Sequence, residues 1–122
     1  MRTGTDAWIY EQPVSLISRR ARRKMIRKHR KQRIEQGFST YDAWNGDRYL
    51  LGVIAGMAEW LRTEGVGYPG HMTEEAWAET LDSISQPLRS YLNGNFWPSE
   101  AEITATTAAL HLFADNFGYF WD

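Results

Sequence analysis

The chain has 122 residues, 43% of them hydrophobic and 14% aromatic, which suits one compact domain with a modest core. It has no cysteine, so disulfides, thiolate nucleophiles and cysteine-ligated zinc are excluded. The net charge of −1 conceals an asymmetry: residues 12–36 hold ten Lys or Arg and one acid, for +9, whereas residues 37–122 hold three Arg and twelve acids, for −9.

Residues 1–12 show no periodicity and read as an irregular tail. Pro13 suits the first turn of a helix and Gly37 its stop, so residues 13–36 read as one long basic helix. Val14, Ile17, Ala21 and Met25 give it a thin apolar stripe, and its other faces are cationic. Pairs such as Arg19/Arg23 and Arg27/Lys31 stand at i,i+4 and repel, so this helix favours anionic partners. Residues 38–47, rich in turn formers, read as a loop.

A second helix is expected over about residues 47–64, with Leu50, Val53, Ile54, Met57 and Leu61 on one face and Leu51, Ala58 and Trp60 widening it. Gly52 and Gly56 make a GxxxG spacing that favours close helix packing within the chain. The GVGYPGH turn that follows also contains GxGxxG. A dinucleotide fingerprint must follow a strand, however, and this one follows a helix and contains Pro69.

Thr73 is a good N-cap for a third helix, with Glu74 and Glu75 in its first turn and Trp77, Leu81, Ile84, Leu88 and Tyr91 along one face. Pro87 should kink it or split it near Ser83. Ser99 and Glu102 form a capping box opening a fourth helix, whose inner face is expected at Ile103, Thr107, Leu110, Ala114, Phe117 and Trp121. The fold class is therefore all-α: a small helical bundle preceded by a long basic helix, divided as a tail (1–12), the basic helix (13–36) and an acidic three-helix domain (37–122). Trp60, Trp77 and Leu110 are expected to be buried.

The order of a basic segment, GFSTYDAWNGD, GVGYPG, MTEEAWAETLDSI and a closing FGYFWD resembles a family of small bacteriophage proteins of unknown function. The matching residues are Gly37, Phe38, Ser39, Asp42, Trp44, Asn45 and Asp47; then Gly67, Tyr68, Pro69, Gly70, Thr73, Glu74, Glu75, Leu81 and Asp82; then Phe117, Gly118, Trp121 and Asp122. Val66 stands where the family pattern has His, and Trp77 falls one residue later than in that pattern. The resemblance covers residues 20–122 approximately. It implies a phage origin and supplies no activity, cofactor or catalytic residue.

Chemistry-bearing clusters are sparse. His29, His71 and His111 lack metal-ligand spacing: HExxH is absent and so is the repeated Glu-x-x-His of di-iron bundles. Glu75, Glu79 and Asp82 share a face of the third helix, but a row of acids on a solvated helix needs no catalytic explanation. Capping and turn formation account for Ser39 and Asp42. The expectation is a non-enzymatic protein without metal or cofactor, with a small enzyme as the remote alternative. The candidate nucleic-acid-binding residues are Arg19, Arg20, Arg22, Arg23, Lys24, Arg27, Lys28, Arg30, Lys31 and Arg33, which would neutralise phosphates with little base readout. Two alternatives stand beside DNA or RNA: an acidic host protein, with the chain modulating a host defence or replication factor, and the chain's own acidic bundle. With no apolar leader and no membrane-length stretch, a location in the host-cell cytoplasm is expected, with no membrane partner. The oligomeric state is open.

Overall fold

In a computed structural model, which describes residues 18–94 and 97–122, the chain is all-α, and no strand occurs among the described residues. The helices are α1 (Arg19–Gln36), α2 (Thr40–Trp44), α3 (Gly46–Thr63), α4 (Glu74–Asn93) and α5 (Glu100–Asn116), followed by a 3-10 turn at Phe117–Tyr119. The chain forms two compact units whose boundary falls inside α3, between Leu50 and Leu51.

The cap chemistry sets most of the ends. Ser18, in an extended conformation, accepts a hydrogen bond from the Ala21 amide and caps the start of α1. The expected tail and the expected first turn at Pro13 lie outside the described residues. Gly37 closes α1 at φ +86°, in the left-handed region that suits glycine. Thr73 caps α4, and Ser99 with Glu102 forms the expected reciprocal capping box of α5. The segment 38–47 is not simply a loop: it contains α2, opened by a second capping box between Ser39 and Asp42.

In the unit from Leu51 onward, the core joins Leu51, Ala55 and Ala58 of α3, Trp77, Leu81, Ile84 and Leu88 of α4, and Ala109 of α5. The expected face of α4 is the buried one, and Pro87 does not split the helix, which runs unbroken to Asn93. The faces of α3 and α5 differ from expectation. Leu50, Val53, Met57 and Trp60 are exposed, Trp60 at 53%, while the adjoining Leu51–Ala55–Ala58 stripe is buried. On α5 the buried positions are Thr106, Ala109 and Asn116, with Leu110, Leu112 and Phe113 partly covered, while Ile103, Thr107, Ala114, Phe117 and Trp121 are exposed. Small residues at the contact let two helix backbones approach closely, so α3 and α5 turn Ala and Thr inward and leave larger side chains outside.

The last helix does not reach Trp121. It ends at Asn116, and the chain then turns so that Phe120 sits edge-on to both Phe113 (4.9 Å) and Trp77 (6.1 Å). The Asp122 carboxylate accepts hydrogen bonds from the amides of Val66 (2.8 Å) and Gly67 (3.2 Å), tying the C-terminus to the turn after α3. On the flank of the core, Arg89 donates to Glu59 through Nε at 3.0 and 3.1 Å and also through Nη2. Those bonds raise the Arg89 pKa above its ordinary value, against an opposing push from burial.

Candidate nucleic-acid interface

Helix α1 has two unlike sides. Arg22, Met25, Ile26, His29, Gln32 and Arg33 recur at spacings of three and four and are half-buried or buried. Arg19, Arg20, Arg23, Lys24, Arg27, Lys28, Arg30 and Lys31 are exposed and occupy the other half of the circumference. The inner stripe is thus centred on Ile26 and His29, not on Ala21, which is exposed. Eight of the ten predicted site residues share the outer face. The other two, Arg22 and Arg33, are turned inward and are poorly placed to reach a phosphate.

Arg33 has a specific structural task. Its Nε and Nη2 donate to the two carboxylate oxygens of Asp42 at 3.0 and 3.3 Å. The Asp42 side chain is only 1% exposed and that of Arg33 15%. Asp42 Oδ2 also accepts the Ser39 amide at 2.8 Å, completing the capping box, and the Arg33 guanidinium lies 5.7 Å from the Tyr49 ring centroid. Gln32 Oε1 accepts the Thr40 amide at 2.8 Å, and the Tyr49 hydroxyl donates to the Gly37 carbonyl at 3.1 Å. These side-chain bonds fasten α2 and the start of α3 to the C-terminal half of α1. A charge pair so little exposed contributes through geometry that fixes one arrangement, and removing one partner strands the other.

An aromatic row accompanies this clamp. His29, buried on α1, stacks with Tyr41 of α2 at 6.3 Å and 26°, and Tyr41 meets Trp44 at 6.3 Å and 35°. Trp44 is 82% exposed. The sequence reading missed this row because α2 is too short to show a period. The signal that was available is the Ser39-x-x-Asp42 capping pattern, which places Tyr41 and Trp44 three apart on one helical turn.

The remaining candidates do not assemble. Asp82 pairs with Arg62 at 3.5 Å, and Glu75 and Glu79 are exposed on α4. Ser39 and Asp42 are occupied by each other and by Arg33. His111 lies on the outer face of α5 beside Thr107 and Asp115, on a shallow, open surface. Among the described residues no group of three or more His, Asp or Glu side chains is placed to hold a metal ion, and no helix is long and apolar enough to cross a membrane. No family model, curated protein or solved structure matches the chain.

Proposed function

We propose that this chain is a non-enzymatic, phage-type protein that binds nucleic acid through the outer face of α1, with little sequence preference. The observation that carries the reading is the segregation of eight exposed cations, from Arg19 to Lys31, on one side of a helix whose other side is committed to the fold. Those residues span about 18 Å of helix, alongside which duplex DNA presents about ten phosphate charges. Arg and Lys at this density give charge-driven contact, and base-reading Asn is absent from α1. The residues from 51 to 122 carry a net −8 and would be repelled by the same backbone.

The test is a titration of duplex DNA with the full chain at two salt concentrations. With about five phosphates neutralised, affinity should fall roughly 500-fold between 50 and 200 mM salt, from a slope of about −0.9 per phosphate. Affinity that does not change with salt, or no binding at low salt, removes this reading.

A second reading, a module that engages a host protein, has its own observation. Val66, Tyr68, Phe117, Tyr119 and Trp121 are exposed around the turn that Asp122 fastens, and the Tyr119 ring lies 5.2 Å from that of His71. Exposed aromatics gathered at one end of a domain are the composition of a protein-binding hot spot.

A further inference from the structure

We infer that Trp121 and Asp122 take an arginine side chain from a basic segment of another protein. The inference rests on the second reading above, engagement of a host protein, and adds to it the chemistry of the partner. Val66, Tyr68, His71, Phe117, Tyr119 and Trp121 are all exposed, and specific contacts gather them at one end of the unit that begins at Leu51. Asp122 Oδ1 accepts the amides of both Val66 and Gly67, joining the closing segment to the turn after α3. The Tyr119 ring lies 5.2 Å from that of His71, and Phe120 anchors the segment to the core through Phe113 and Trp77. Trp121 is 73% exposed, yet its position is set by two bonds. Its amide donates to the Tyr119 carbonyl at 2.8 Å and its Nε1 to the Gly118 carbonyl at 3.0 Å. The indole N–H is already satisfied, so what the ring offers a partner is its face. A ring held in this way loses little ordering entropy when a second group lies on it.

The charge at this end selects the partner. From residue 51 on, the chain has ten acids, two arginines and no lysine. Both arginines are engaged, Arg62 with Asp82 and Arg89 with Glu59. Five of the ten acids, Glu64, Glu74, Glu75, Asp115 and Asp122, stand within four residues of a member of the aromatic group along the chain, and all five are exposed. A polyphosphate or an anionic lipid surface is repelled there, whereas a cation is attracted. Asp122 gives Oδ1 to the two backbone amides, and Oδ2 has no hydrogen-bond partner among the described residues. Two adjoining residues thus supply an aromatic face and a charged acceptor, both fixed by the same turn. A guanidinium uses both, because its plane stacks on an indole while its N–H groups donate to a carboxylate. An aliphatic side chain would use only the ring.

The experiment uses the full chain and two labelled Gly/Ser peptides of about twelve residues, one with arginine at every third position and the other with leucine there. Affinity is read by fluorescence anisotropy at low salt. Wild type should bind the arginine peptide the more tightly. Trp121→Ala, which leaves the net charge unchanged, should weaken that binding about twofold to thirtyfold, the range for one cation–π contact. Trp121→Phe should recover most of the loss. Asp122→Asn keeps an oxygen for the two amides and should weaken binding about twofold to fivefold, as for an exposed ion pair. Glu100→Gln makes the same change of charge at the other end of α5, about 24 Å along the helix from Asn116, and should have the smaller effect. If Trp121→Ala binds like wild type and the Asp122 and Glu100 variants lose equally, the attraction is diffuse and the site is overturned. A leucine peptide that binds as tightly as the arginine peptide overturns the cationic partner and leaves the aromatic end as a protein-binding surface. Failure of wild type to bind either peptide overturns both readings.

Discussion

Replacing Arg33 with alanine separates structural from functional cations within one helix. In the native chain the guanidinium donates to both carboxylate oxygens of Asp42, a side chain 1% exposed, and both of those bonds are lost if Arg33 is truncated. Removing one partner of a buried ion pair costs about 3–5 kcal/mol, and the lost packing over the Tyr49 ring adds to it. Because the units divide inside α3, the loss should be local. Hydrogen exchange at the amides of residues 39–45 should accelerate a hundredfold or more, on the order of 1.4 kcal/mol per factor of ten, while the amides of α4 keep their protection. Arg23→Ala, on the exposed face, should stay within about 0.5 kcal/mol of wild type. The double variant Arg33→Met with Asp42→Leu should recover only part of the stability: replacing a buried pair by apolar groups is often nearly neutral, but the apolar side chain at position 42 cannot accept the Ser39 amide, which costs about 1–3 kcal/mol. If Arg33→Ala changes protection in α2 by less than a factor of three, the ion pair does not organise this unit and the division of the cations into two sets is wrong.

Two further stability predictions follow from the same structure. Leu81→Ala, at a position 1% exposed in the core, should cost about 2–5 kcal/mol in urea denaturation, and Met57→Ala, 56% exposed on α3, within about 0.5 kcal/mol; equal costs would mean that the faces of α3 and α4 are misassigned. Gly37→Ala should cost about 1–2 kcal/mol, because φ +86° is disfavoured for a residue with a Cβ even though nothing crowds the position; a neutral result would mean that α1 ends in another way.

What could be read from the residues depended on how unevenly each helix distributes its apolar groups. On α4 the buried and exposed positions alternate cleanly in type, so Trp77, Leu81, Ile84 and Leu88 identified their own face. On α3, Leu50, Leu51, Val53, Ile54, Met57, Ala58 and Trp60 surround most of the helix, and apolarity alone does not choose between Leu51–Ala55–Ala58 and Leu50–Val53–Met57. On α5 the largest side chains suggested the inner face, while close packing selected the small ones, Thr106 and Ala109. The caps were legible at Gly37, Thr73 and Ser99, where side-chain chemistry is local. At the candidate interface, the residue types were legible and their sidedness was not. The inner face of α1 is carried by Ile26 and His29 among many cations, and the commitment of Arg33 depends on Asp42, nine residues away.

The central claim, that the outer cations of α1 engage nucleic acid and the inner ones build the fold, is tested most directly by charge reversal within the outer set. The variant carrying Arg23→Glu, Arg27→Glu and Lys31→Glu should lose nucleic-acid binding at 50 mM salt, while its melting curve and α2 amide protection match wild type. Removing three phosphate contacts should also flatten any residual log–log salt dependence by about 2.7, at 0.9 per contact. Retained binding with an unchanged salt slope, or a collapse of stability in this variant, would contradict the account.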